Sequence, residues 1–350
     1  MAGIVERDQS LKRESLSDLM TIVDRKSCPF MSQVKKGAAP KNSFVEWPLD
    51  KHKDNLVRTA TYSGGISDNL PIDGADIDSN DFENYDDRTK CSVYLQYLRR
   101  VPKVSRLANM TSDVAGVGYK KEMANSIAKA LVAAKRDQES TLCSSQETAQ
   151  ETNSSPYQTR GLGKWISSSA QATLPVPSDF LTPAGSIKSV AAASATEEDL
   201  RDILQSIYEQ TGESDKTFYG LCGTQVKKTI SNFSLFTPRT NNLVVSNRDT
   251  DEGRLSAAVD IIESDFGTIT LNLSSFLEQD ARDANGDYDA SVGQKTLFIL
   301  NMAQLEACYA EETSVRELPD LGGGPRSIIE SVFSLKSYSG GLDHGKYTLS

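Results

Sequence analysis

The chain has 350 residues, 38% hydrophobic and 25% charged, with a formal net charge of −10. That length fits one large domain or two to three modest ones, and the composition is that of a globular protein. The acidic balance argues against sequence-independent DNA binding, which needs many Lys and Arg contacts to phosphate.

The N-terminus, MAGIVERDQSLKRE, is polar almost at once and lacks the apolar core of a signal peptide. No stretch approaches the ~18 apolar residues of a membrane span. Five cysteines are scattered at 28, 91, 143, 222 and 308. With an odd number and no close pair, reduced thiols in a cytoplasm are the expectation.

Residues 1–41 read as an arm. Leu11, Leu16, Leu19, Ile22 and Val23 have loosely helical spacing, Cys28-Pro29-Phe30 stops any helix, and a basic linker follows from Lys35 to Lys41. Val45, Trp47 and Leu49 alternate with Phe44, Glu46 and Pro48, which predicts a short strand placed at an edge by its proline. Cys91 to Leu98 predicts another, with Val93, Leu95 and Tyr97 on one face.

Between these strands the charges divide. Residues 68–87 hold eight acids (Asp68, Asp73, Asp76, Asp78, Asp81, Glu83, Asp86, Asp87) and no base. Residues 88–106 hold six bases (Arg88, Lys90, Arg99, Arg100, Lys103, Arg106) and no acid. A long excursion without a core of its own is usually functional or disordered. If ordered, it rests on something else, and a neighbouring subunit is the simplest support. The plainer reading is a solvated acidic loop or a weak calcium site.

A helix is predicted from about Thr111 to Thr141, with Val114, Val117, Met123, Ile127, Leu131 and Ala134 at helical spacing. At 1.5 Å per residue it would be a strut of roughly 45 Å. Residues 143–195, rich in Ser, Thr, Gln and Pro, read as a surface crossing pinned by Trp165. A second helix runs from Thr196 to Thr211, with Gly212 at its C-terminal stop. A third is predicted near Thr224 to Phe233. Strands follow at Ala257–Ile262, Thr268–Leu273 and Thr296–Met302, and Ile328–Tyr338 reads as the closing strand. The fold class is mixed α+β without βαβ repetition.

The chemical motifs are weak. His52 and His344 are the only histidines and neither has a ligand-like neighbour at metal spacing. Gly322-Gly323-Gly324-Pro325 lacks the Lys-Ser/Thr of a phosphate loop and reads as a turn. Asp265-Phe266-Gly267 matches the kinase triplet without the rest of that set and reads as a hairpin turn. Around Gly286 the first and twelfth calcium positions would be Ala281 and Val292, which cannot ligate, so Asp283–Asp289 is a turn as well. Ser32-x-x-Lys35 has β-lactamase-like spacing but no partner motifs. No catalytic, cofactor-binding or metal set is assigned.

Several segments, in order, resemble the major capsid proteins of tailed phages with the Hong Kong 97-like fold, in the branch of phage SU-ten. They are Cys28-Pro-Phe-Met-Ser-Gln-Val with Phe44-Val-Glu-Trp47-Pro-Leu-Asp50, and Tyr94-Leu-Gln-Tyr97 through Val101-Pro-Lys-Val104-Ser105. Further along are Ala134-Lys135-Arg136-Asp137-Gln-Glu139, Arg160-Gly161-Leu162 with Trp165-Ile166, Ile230-Ser231-Asn-Phe233 and Glu263-Ser264-Asp265-Phe266-Gly267. Cys28 departs from the usual Thr, and the loop is unusually acidic.

The resemblance implies an N-terminal arm (1–41), an extended loop over an adjacent subunit (42–105), a peripheral domain with a spine helix (106–194), an axial domain (195–305) and a return to the peripheral domain (306–350). It implies pentamers and hexamers in an icosahedral head around double-stranded DNA. It also implies a virion location, assembly in the host cytoplasm, and portal, scaffolding and cement or decoration proteins as partners. No cofactor, enzymatic activity or membrane is expected. The candidate inter-subunit residues are Asp76, Asp78, Asp81, Glu83, Asp86, Asp87, Arg88, Arg99, Arg100, Lys103 and Arg106. The rival readings are another phage structural protein, such as a tail or adhesion component, and an α+β hydrolase whose carboxylates converge only in three dimensions.

Overall fold

The computed structural model describes residues 28–52, 76, 88–111, 122–213, 216–236, 259–283 and 285–350. In chain order the helices are α1 (Pro29–Gln33), α2 (Arg106–Thr111), α3 (Glu122–Leu142), α4 (Leu162–Trp165), α5 (Glu197–Thr211), α6 (Thr224–Phe236) and α7 (Ala290–Gln294). The strands of the first half are β1 (Lys35–Lys36), β2 (Phe44–Leu49), β3 (Thr89–Tyr94), β4 (Gln96–Arg100), β5 (Ile187–Val190) and β6 (Thr217–Cys222). Those of the second half are β7 (Ile261–Ser264), β8 (Gly267–Leu273), β9 (Thr296–Leu300), β10 (Leu305–Leu318), β11 (Arg326–Ser337) and β12 (Gly345–Leu349).

Three sheets form: β1-β10-β11-β4, β5-β12-β9-β6-β8-β7, and the ribbon β2-β3. Strand β9 joins two apolar cores. All five of its residues are buried; Phe298 and Leu300 face the core of α1, α4, β10 and β11, while Leu297 and Ile299 face that of α5, α6, β8 and β12. A strand covered on both faces reads as a continuous apolar run, and Thr296-Leu-Phe-Ile-Leu300 does. Trp47 locks the ribbon to the first core: its Nε1 donates to the Ser337 carbonyl at 3.0 Å and its ring lies 5.8 Å from that of Trp165.

Helices α5 and α6 occupy the predicted positions, α6 running three residues further than expected. The Asp265-Phe266 turn joins β7 to β8, and Gly286 has the positive φ of its turn. Other expectations change. The strand predicted over Cys91–Leu98 is two strands: β3 pairs with β2, β4 pairs with β11, and the break is at Leu95. Tyr97 is 47% exposed while Cys91, Val93 and Leu95 are buried, because the chain changes sheets there. Part of the predicted Thr111–Thr141 helix, with Val114 and Val117, lies outside the described residues.

In α3 the stripe residues Met123, Ile127 and Leu131 are only half-buried. Beside the apolar Leu142, two buried side chains near its end are polar: Gln138 Nε2 donates to Thr313 at 3.0 Å, and Glu139 accepts the Phe30 and Met31 amides at 2.9 and 2.8 Å. Residues 143–195 are pinned at Trp165 as expected and exposed at 151–156 and 168–170, but they enter the core more deeply than a surface crossing. Arg160, Leu162, Trp165 and Ile166 are all buried, and the Arg160 guanidinium stacks on Trp165 at 4.7 Å while donating to the Thr173 and Leu174 carbonyls. Strand β11 does not close the chain: β12 follows and enters the six-stranded sheet between β5 and β9, so the segment 306–350 contributes to two sheets. Gly345 admits it, since a side chain there would run into Ile203 of α5.

Candidate inter-subunit surface

The long β10–β11 hairpin carries β4 on its flank, with Arg99 of β4 directly opposite Glu330. Successive strand residues point to opposite faces, so Arg99 and Arg100 diverge. Arg100 closes on Asp137 of α3 with two hydrogen bonds of 2.6 Å, a bidentate fork that raises the guanidinium pKa. The Glu330 carboxylate is taken by the Tyr97 hydroxyl at 2.6 Å and by Arg316. Arg99 is left exposed, without an ion pair among the described residues.

The hairpin tip is tied to the chain after β4. Val104 N–H donates to the Pro325 carbonyl at 3.2 Å, Ser327 N–H to the Pro102 carbonyl at 3.1 Å, and Lys103 bridges to Arg326. Asp320 accepts the Gly322 and Gly324 amides at 2.8 and 3.2 Å, which holds its carboxyl below the usual carboxylate range, with Arg106 and Arg326 adding to the effect. Gly324, at φ 108, passes so close to Val104 that a side chain would strike its carbonyl. The β4 end, α2 and the tip therefore form one body. On it Val101, Met110 and Leu321 are 51%, 77% and 81% exposed.

The predicted residues divide between places. Asp78, Asp81, Glu83, Asp86 and Asp87 lie outside the described residues, and Asp76 is exposed. Arg88 precedes β3, at the ribbon, where Lys90 faces Glu46 at 3.9 Å. Arg100 is committed to Asp137 within the chain. Lys103, in register with Arg326, and Arg106, near Asp320 and Gly324, lie beside the tip, while Arg99 lies opposite Glu330 in the sheet. The exposed apolar residues Val101, Met110 and Leu321 were not foreseen; isolated apolar residues in a loop or short helix carry no period, and only the glycine run 322–324 marked the tip.

A second cluster bears on chemistry. Ser337 Oγ lies 3.3 Å from His344 Nε2, and Asp343 is adjacent in sequence. The His344 ring is fully buried and its Nδ1 accepts the Asn301 amide at 3.3 Å, so Nε2 carries the proton and donates to Ser337. The Ser337 hydroxyl in turn donates to the Gly340 carbonyl at 2.6 Å. A general base needs the opposite proton flow, and Asp343 pairs with Lys216 at 2.8 Å instead of orienting the ring. Burial lowers the His344 pKa to about 4. Among the described residues no group of three His, Cys, Asp or Glu is arranged for a metal, and no helix is long and apolar enough to cross a membrane.

The family model for the SU10 major capsid protein matches residues 4–336. This chain belongs to that family. It is a major capsid protein, a structural component of the phage head shell, and its place is the virion. Its fold is Hong Kong 97-like. The capsid of cyanophage A-1(L) is similar over 99% of both chains at 11% identity, with a TM-score of 0.60. That of cyanophage P-SCSP1u is similar over 99% of this chain and 97% of its own at 10% identity, with a TM-score of 0.58. An encapsulin complex of Synechococcus elongatus shares the fold over 99% and 96% of the two chains, at 11% identity and a TM-score of 0.53. No curated protein matches in sequence.

Proposed function

We propose that this capsid protein assembles as pentamers and hexamers into an icosahedral head that encloses double-stranded DNA. Assembly takes place in the host cytoplasm, with portal, scaffolding and cement or decoration proteins as partners. Residues 1–41 act as an arm, 42–105 as an extended loop onto a neighbour, 106–194 and 306–350 as a peripheral domain, and 195–305 as an axial domain. The observation that carries this reading is the end-to-end likeness to phage capsid folds together with the family match. The net charge of −10 supports it, since an acidic subunit has little tendency to cling to the incoming genome. Each contact between subunits can be weak, because closure shares it among many copies.

The divided charges of residues 68–106 set the register between neighbours. Electron microscopy of the purified protein tests the shell: closed icosahedral particles are expected, and tubes, rings or monomers alone would overturn it. Reversing Asp86 and Asp87 to Lys should reduce shell yield while leaving the thermal unfolding of the subunit within about 2 °C of wild type, as surface substitutions usually do. Normal shells from that variant would remove the pairing idea.

A further inference from the structure

We propose that Asn285 is a site of self-modification: the Gly286 backbone nitrogen closes on the Asn285 side chain and converts it to aspartate or isoaspartate, at a rate that Asp283 holds down.

The residues and their place meet what this reaction needs. The attacking nitrogen must reach Cγ of the preceding side chain, and a side chain on the attacking residue obstructs that approach. Of the asparagines in the chain, Asn285 alone is followed by glycine. Both residues are exposed. Gly286 turns at φ 86, and no atom lies within 4 Å of where its Cβ would stand, so a five-membered ring formed there meets no neighbour. By contrast, Asn125 and Asn301 are buried and Asn272 lies within β8.

The step uses only hydroxide and water and transfers no electrons. Gly286 N gives its proton to hydroxide and attacks Asn285 Cγ. The N–Cγ bond forms, the Cγ–Nδ2 bond breaks, and Nδ2 takes a proton from water and leaves as ammonia. Water then opens the cyclic imide. Breaking the N–Cγ bond gives aspartate; breaking the bond from Gly286 N to the Asn285 backbone carbonyl carbon gives isoaspartate.

Asp283 restrains the first step. Its Oδ1 accepts the Asn285 and Asp287 amides at 2.8 and 2.9 Å, and its carbonyl accepts the Gly286 amide at 3.0 Å. The last bond occupies the attacking nitrogen, so the tip must open before the ring closes. The Asp283 carboxylate also disfavours negative charge on that nitrogen. Below the tip the hairpin is held separately. Asp289 N–H donates to the Ala281 carbonyl at 3.1 Å, and the Asp289 side chain accepts the Ser291 amide at 2.9 Å at the start of α7. Opening is therefore confined to the tip, and α7 and β9 stay folded. The product adds a carboxylate to a turn that already carries Asp283, Asp287 and Asp289, and like-charge repulsion keeps the tip open.

The full-length protein is incubated at neutral pH and at about pH 9 and sampled over time. Peptide mass spectrometry reads conversion at each asparagine, and labelling by isoaspartyl methyltransferase reads the isoaspartate share. Conversion at Asn285 should lead that of every other asparagine. It should rise roughly tenfold per pH unit, as the deprotonated fraction of a weak acid does far below its pKa. Asp283→Ala should speed it at least about fivefold, the factor for about one lost hydrogen bond. The thermal unfolding midpoint of that variant should stay within about 2 °C of wild type. Asn285→Gln, which cannot close a five-membered ring, should abolish the isoaspartate signal from this peptide. A wild-type chain that converts other asparagines before Asn285 overturns the site. An unchanged rate in Asp283→Ala overturns the restraint.

Discussion

His344 illustrates how a buried polar residue couples this fold to pH. Its ring is fully enclosed and sits between Asn301 and Ser337, with Asp343 favouring the charged form and Lys216 opposing it. Burial outweighs both, and the pKa falls from 6.5 to about 4. As pH drops, the unfolded chain therefore takes up its proton first. The stability contributed by the neutral ring is complete above pH 6.5 and is lost as pH falls toward 4, a change of about 3 kcal/mol. Glu139 works the other way: burial raises its carboxyl pKa, so its contribution declines as pH rises through that raised value, and the Phe30 and Met31 amides limit the effect. His344→Asn keeps an acceptor for the Asn301 amide but cannot titrate. Denaturant unfolding at pH 7 and pH 4 should show the variant losing less stability than wild type, by a margin of about 3 kcal/mol. Equal losses would show that the ring does not govern the acid limb.

At the scale of elements, α5 follows its sequence closely. Thr196 N–H donates to Asp199 at 2.9 Å at the start, and Gly212 ends the helix at φ 69 with open space where a Cβ would stand. Gly212→Ala should therefore cost only its backbone strain, about 1 kcal/mol, read from the denaturation midpoint at unchanged slope. A loss above about 3 kcal/mol would mean that packing, not φ, sets the stop. Elements of this kind are legible because the signal is local: a cap, a stop, an apolar run such as β9.

Strand β10 was not foreseen because its register shifts between Tyr309 and Ser314 break the alternation and its outer half is exposed. Alternation also runs unbroken through Leu95, since that residue is buried although its neighbours pair with different sheets. Periodicity cannot reveal that Glu139 and Arg160 are core residues. The charge division of 68–106 is plain in the sequence. Which cations remain unpaired is not, because Arg100 finds Asp137 only through the fold.

For the whole molecule, each subunit carries a net charge of −10, so neighbours repel at long range, while the proposed pairing of the acidic and basic blocks of residues 68–106 would attract at contact. Salt separates the two terms by distance. The screening length is about 8 Å at 0.15 M and about 3 Å at 1 M. Repulsion spread over tens of ångströms is therefore suppressed first, and contact pairs last. Shell yield from purified subunits should rise from low salt to about 0.15 M sodium chloride and fall toward 1 M. Sodium sulfate at equal ionic strength screens similarly but is excluded from apolar surface, which strengthens burial of whatever apolar side chains the contact covers. The decline should thus be shallower in sulfate than in chloride, as followed by light scattering and sedimentation. A yield that climbs steadily to 1 M chloride would mean that apolar burial alone carries the contact and that the charge division of residues 68–106 contributes nothing to it.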